Sequence, residues 1–286
     1  MEEDWSDIVT EYKLNTYHIN ISKNAYEIIL KIYDYIKLKK PNIINKSMIF
    51  FHKFYLYNLI NKSNIDCDNG NLIYICISCY YLVTKSLNYL MRFDDIIDIL
   101  YKYNLLKNDN NNNNIKEKHK EIIFKYEFEI LESLGFDLNN YELPYKYISF
   151  LFDKIINKYI TDISNLKNIK EYYLALINYS YIFPHFLKFN TLTIVLSLLK
   201  ILFIIKNIKI NFNQILSEFK EFEYNFIQKE LDNCYNLIYL FLFKEKIDIK
   251  NNNNKTNNSI NMDVLLKINV VNLNMKSYSN AIIKKK

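Results

Sequence analysis

The sequence predicts an all-α protein of two tandem five-helix units, each built around a buried third helix. Three observations carry this expectation. Glycine occurs twice and proline three times in 286 residues, too few for the turns of an all-β fold or the phosphate loops of a nucleotide-binding α/β fold. Apolar residues make up half the chain and recur at helical spacing, enough to bury a substantial core. The succession of segment lengths read before Pro144 returns after it, as a duplicated unit would.

Between Ser22 and Phe136 five helical segments are expected, over 23–38, 44–60, 71–88, 92–106 and 116–135. Pro41 and the stretch Asp66 to Gly70 break the chain between the first three. The asparagine run Asn108 to Asn114 reads as a loop between the fourth and fifth, because it is polar and lacks periodicity. Beyond Pro144 the expected helices are 145–160, 166–182, 190–207, 211–219 and 221–244, with Pro184 ending the second and Asn190 or Thr191 capping the third. The implied organisation is an N-terminal segment over 1–21, a first unit over 22–140, a second over 141–246, and an asparagine-rich linker with a basic tail over 247–286.

The third segment of each unit carries the core. In Leu72–Leu87, Ile73, Ile75, Cys76, Ile77, Cys79, Leu82 and Val83 cover nearly the whole circumference, leaving a narrow edge of Tyr74, Ser78, Tyr81 and Lys85. A helix apolar all round must be wrapped by others. Its counterpart, Leu192 to Ile205, is more apolar still, but about 14 residues fall short of the roughly 20 a bilayer requires, and Ser197 and Lys200 lie within it.

Charge and cysteine usage exclude several classes. The net charge of +6 is modest, and apart from Lys284-Lys285-Lys286 the lysines are dispersed, which argues against nucleic acid. Cys67, Cys76, Cys79 and Cys234 do not form a secreted disulfide framework, and Met1 to Asp7 are acidic without an apolar run, so a reducing compartment, nucleus or cytoplasm, is expected. Cys76-Ile77-Ser78-Cys79 has metal or redox spacing but sits inside an apolar helix without a second pair, which favours a structural role. His18, His52, His119 and His185 are isolated, and His52 reads as a helix-packing residue. The 26 tyrosines accompany abundant Asn, Lys and Ile, a bias of AT-rich codons that carries little functional weight.

Two charged residues stand out. On the fifth segment Ile123, Phe124, Ile130, Leu131 and Leu134 share one broad face, opposite Lys125, Glu129, Glu132 and Ser133, and Glu127 lies near the centre of the apolar face. A carboxylate there loses hydration unless donors are supplied. Two readings stand: a helix-edge residue that snorkels or bonds Lys85 or a nearby tyrosine, or a group kept for a partner. Lys85 in turn is either a solvated helix-end lysine complementing the dipole or half of a recognition site.

The same residues carry a resemblance. Met48-Ile49-Phe50-Phe51-His52-Lys53-Phe54-Tyr55 resembles the second helix of cyclin boxes, particularly those of cyclins serving transcription and RNA-processing kinases, the L and K types. Cys79-Tyr80-Tyr81-Leu82-Val83-Thr84-Lys85, followed at the family spacing by Asp95-Ile96-Ile97, resembles the third-helix signature with Lys85 on its lysine. Tyr126 to Leu138 resembles the fifth helix, with Glu127 on the signature glutamate and Phe136 on the closing aromatic. Pro144-Tyr145 matches the start of a second box, and Phe189-Asn190-Thr191-Leu192-Thr193-Ile194 is similar to the opening of its third helix, so the resemblance covers about residues 22 to 245. One corner departs: family members commonly carry two acidic residues and a proline where this chain reads Ser86-Leu87-Asn88-Tyr89-Leu90.

The resemblance implies two tandem cyclin boxes in a nuclear, non-catalytic regulatory subunit whose partner is a cyclin-dependent protein kinase, bound through Lys85, Glu127 and Phe136. It implies no cofactor, metal, small-molecule substrate or membrane. Competing readings are a cyclin-fold general transcription factor on DNA, which usually begins with a four-cysteine zinc ribbon that residues 1–20 lack, and a cyclin-like scaffold without kinase activation.

Overall fold

The computed structural model describes residues 16–36, 40, 42–61, 69–89, 91–106, 113–139, 141–160, 162–221 and 227–250, and these are helical without any strand. Most of the asparagine run before the fifth helix, Cys67, Leu90, Pro41 and all but 247–250 of the expected linker and basic tail lie outside them. The chain divides into two compact units, one over Tyr12–Tyr141 and the other from Glu142 onward.

The first unit comprises α1 (Thr16–Ile36), α2 (Asn42–Ile60), α3 (Asn69–Ser86), α4 (Phe93–Lys102) and α5 (Asn113–Ser133). Helix α3 is the hub, packed against α1, α2 and α5. Its Leu72, Ile75, Cys76, Ile77, Cys79, Tyr80, Leu82 and Val83 are all buried, as a helix without a polar face demands. Ser78 is buried too; its hydroxyl lies 2.9 Å from the carbonyl oxygens of both Tyr74 and Ile123, so this buried polar group in the seam with α5 is satisfied. Helix α1 starts earlier than the expected residue 23, because buried Ile21 and the edge contact of His18 with Tyr55 extend its packed face. Helix α4 stops at Lys102, short of 106: Asn104 takes a left-handed φ of 55°, and the Leu105 amide turns back to the Leu100 carbonyl at 2.9 Å.

The second unit contains α6 (Tyr145–Phe150), α7 (Ile163–Ser180), α8 (Thr191–Ile205), α9 (Phe212–Glu221) and α10 (Gln228–Lys250). Beyond Phe150 the chain of α6 continues as a π-helical stretch, Leu151–Ile156, and a last turn, Asn157–Tyr159. Across this wider turn the adjacent pairs Leu151, Phe152 and Ile155, Ile156 are all buried, on a somewhat narrower face than a regular helix would give them. After Pro184 a short 3₁₀ turn, His185–Leu187, leads to the start of α8, where Asn190 is the cap: its Oδ1 accepts from the Thr193 amide at 2.8 Å.

Helix α8 repeats the role of α3. Leu192 through Leu199 and Ile201 through Phe203 are buried against α7 and α10, each large side chain contributing about 1.5–3 kcal/mol. Ser197 donates to the Leu231 carbonyl of α10 at 3.2 Å, the counterpart of the Ser78 seam. Lys200 reaches Asp232 at 3.3 Å and lies 4.4 Å from the Tyr235 ring centroid, so the cation within the apolar run is held by charge and ring together. No helix of the described residues is long and apolar enough to cross a membrane.

Candidate functional site

The C-terminal end of α3 presents Lys85. Directly before it Thr84 is buried, its hydroxyl donating to the Tyr81 carbonyl at 2.7 Å, so the last turn is held to the helix. Beyond it Asn88 adopts a left-handed φ of 58°, and the Tyr89 amide returns to the Thr84 carbonyl at 2.9 Å, closing the helix where the sequence departs from the cyclin pattern. An ammonium at this end is favoured by the unsatisfied carbonyls.

Helix α5 brings Glu127 to it. Lys85 Nζ pairs with Glu127 Oε1 and sits 4.2 Å from the Tyr81 ring centroid. The two ends of the pair differ in environment: the lysine side chain is 43% exposed and the glutamate 13%. Glu127 Oε2 is buried, and among the described residues no donor reaches it. Of the two readings the residues allowed for Glu127, an internal bond to Lys85 is present, and it leaves half the carboxylate unsatisfied.

Phe136 follows α5. Gly135 and Phe136 both take φ of 60°, the Phe136 amide donates to the Leu131 carbonyl at 2.9 Å and the Gly135 amide to Glu132 at 3.0 Å. Glycine accepts that conformation freely, whereas a phenylalanine there is held by its surroundings. The turn leaves the Phe136 side exposed at 61%.

Around these three lies an aromatic rim that sequence reasoning missed. Phe124 was expected on the buried face, yet it is 47% exposed, and Phe128 is 55% exposed. Ring contacts run from Tyr81 to Phe93 of α4 at 5.2 Å and from Phe93 to Phe124 at 4.7 Å, with Phe128 meeting Phe136 at 6.2 Å. Ile123, Ile130 and Leu134 face inward as expected, joined by Ser133, which was expected outward but is buried with its hydroxyl donating to the Ile130 carbonyl at 2.7 Å. The available signal was the pair Phe124 and Phe128, four residues apart and flanking Glu127. Exposed rings around a half-satisfied ion pair suit recognition of an apolar protein surface.

Other candidates are absorbed by packing. Cys79 and Cys234 are buried thiols, and burial pushes both up, Cys234 to about 12, so neither is a poised nucleophile. His52 is buried edge-on to Phe51 at 5.6 Å, in the packing role expected of it, and His119 Nδ1 lies 2.7 Å from the Tyr74 hydroxyl. Among the described residues no three His, Cys, Asp or Glu side chains converge as metal ligands.

With this architecture in view, the chain takes its place among solved proteins by shape. It has the fold of a chain found in a protein-kinase complex: the crystal structure of the yeast RNA Pol II CTD kinase CTDK-1 complex. The two superpose with a TM-score of 0.64 over 94% of this chain and 82% of that one, at 16% sequence identity. That identity establishes a shared fold. No family model matches the chain and no curated protein matches its sequence.

Proposed function

We propose that this chain is a cyclin-type, non-catalytic regulatory subunit that binds and activates a cyclin-dependent protein kinase acting in transcription or RNA processing, in the nucleus. The observation that carries the reading is the Lys85–Glu127 pair, with its buried unsatisfied Oε2, set inside the exposed rings of Phe124, Phe128 and Phe136. Its likeness to a chain of a CTD kinase complex supports it.

The mechanism follows from what such a surface can do to a mobile partner. A kinase whose regulatory helix samples active and inactive positions is shifted toward the active one by any surface that binds only that position. Lys85 and Glu127 supply charged hydrogen bonds to groups near that helix, Oε2 gains the donor it lacks, and the rings bury its apolar side. An interface able to reshape a kinase buries at least roughly 1,200–2,000 Å² in total. A phosphate backbone would instead call for uncompensated positive charge, whereas here lysine and glutamate neutralise each other.

The test exchanges the signs. Lys85→Glu with Glu127→Lys keeps an internal pair, and so the fold, while reversing what a partner meets. The full chain is used as bait and captured kinases are identified by mass spectrometry. A cyclin-dependent kinase retained by the wild type and lost by the double variant, with far-UV circular dichroism unchanged, is the expected result. Equal retention by both sinks the site assignment, capture of no kinase leaves the scaffold reading, and sequence-specific retention on DNA favours the transcription-factor reading.

A further inference from the structure

Two residues close after site residues in the chain, Ser86 after Lys85 and Tyr141 beyond Phe136, are held from one stripe of α2. Lys46, Phe50 and Lys53 lie at i, i+4 and i+7, so they share a face over about 10 Å of helix. Lys46 Nζ donates to the hydroxyl of Ser86, the residue after Lys85, at 2.9 Å. Asp137, the residue after Phe136, is the carboxylate whose field opposes the loss of charge at both Lys46 and Lys53. Four residues on, Tyr141 accepts from Lys53 Nζ at 3.1 Å, places its ring 4.4 Å below the same ammonium, and meets Phe50 edge-on at 5.8 Å.

This arrangement is costly to build. Lys46 is buried, and burial lowers both lysines from their ordinary range against the opposing pull of Asp137. Leucine or methionine at either position would fill α2 at less expense. What the ammoniums provide is directional attachment of two segments to one helix: the end of α3, through Ser86, and the chain leaving α5, through Tyr141. The Gly135–Phe136 turn, with a phenylalanine in a left-handed conformation, is the kind of backbone that persists only where its surroundings over-determine it.

We infer that Lys46 and Lys53 are positioning residues: with Ser86, Asp137 and Tyr141 they form a brace on α2 that sets the spacing between Lys85 and Phe136 and holds both ready for a partner. This rests on the kinase-binding reading for its purpose, but the brace itself is testable without a kinase. A preorganised site must hold its groups to within about half an ångström, so a loosened brace weakens binding even where the fold survives.

The experiment is amide hydrogen exchange on the full chain, wild type against Ser86→Ala with Tyr141→Phe, which deletes one oxygen at each end of the brace, and against Lys46→Met with Lys53→Met. Exchange should quicken about tenfold in the segments 84–89 and 134–141 and stay unchanged across Leu72–Val83. Lys46→Arg with Lys53→Arg should restore protection in 134–141, since a guanidinium keeps the positive charge that Asp137 favours and can donate to Tyr141 as an ammonium does. Exchange that stays at wild-type values in both oxygen-deletion and methionine variants, or rises equally along the chain, overturns the brace. Where a kinase has been captured, its affinity should fall roughly tenfold in the oxygen-deletion variant; weakened exchange protection with undiminished affinity would overturn the positioning role, while absence of any kinase would count against the function proposed above and leave the exchange result standing.

Discussion

Replacing Lys85 and Glu127 by methionine, singly and together, asks whether the pair is kept for recognition at the expense of stability. The environments predict an asymmetric answer. The glutamate side chain is 13% exposed and its Oε2 has no donor among the described residues, whereas the lysine side chain is 43% exposed. A close pair in a half-wet setting gains about 4 kcal/mol of attraction at an effective dielectric constant near 20. Desolvating the carboxylate and leaving one oxygen unsatisfied consumes most of that gain, about 1–3 kcal/mol for the oxygen alone. Lys85→Met removes the attraction and keeps the penalty, so about 2–3 kcal/mol of stability should be lost. Glu127→Met frees a lysine that can swing into water and puts an apolar chain on a largely apolar face, so the change should stay within about 1 kcal/mol. The double variant should match the wild type to within about 1 kcal/mol, or exceed it, while losing kinase capture. Urea denaturation followed by far-UV circular dichroism, extrapolated linearly to water, measures all four corners of the cycle. A double variant more than about 2 kcal/mol below wild type, or a Lys85 variant no worse than the Glu127 variant, would refute the reasoning.

Three further outcomes follow from the packing. Burial raises the Asp34 carboxyl to about 6, so between its unfolded value near 4 and 6 the native chain holds the extra proton and stability falls as pH rises through that window; Asp34→Asn should gain about 1–2 kcal/mol at pH 7, after allowance for partial exposure, and the gain should vanish below about pH 4 in parallel urea titrations. Leu199→Ala, at a fully buried position of α8, should lose about 2–5 kcal/mol in the same assay, as cavities left by leucine do. Cys79 and Cys234, both buried and both raised by that burial, should resist alkylation in the native chain and react only at the rate of unfolding, read by mass spectrometry of iodoacetamide adducts.

The all-helical architecture was legible because two segments, Leu72–Leu87 and Leu192–Ile205, have no polar face and can be stable only at the centre of something. Once those were placed, breaks at Pro144 and Pro184 and the cap at Asn190 located their neighbours. What the sequence hid is tertiary. A helical wheel assumes one buried side, and on α5 it put Phe124 inside and Ser133 outside; the real face is rotated by the Ser78 seam with Ile123, which draws α5 against α3 on the side of Ile123, Ile130 and Ser133. The π stretch Leu151–Ile156 was invisible because its neighbouring buried pairs read equally well as a regular helix with a broad face. At the site, Lys85 and Glu127 are 42 residues apart, so their bond was one of two open readings, and the contribution of Phe93 from α4 had no local signal at all.

The burial of α8 has a consequence for how the chain is made. Its most apolar helix is covered by α10, which begins only at Gln228, after the loop and helix that follow Ile205. During synthesis a greasy cylinder therefore leaves the ribosome before its lid exists, and stays bare for as long as translation takes to reach the far end of the second unit. The nascent chain in that interval is a natural client for a holdase chaperone, and any stall between the two helices would yield an adhesive fragment instead of a harmless one.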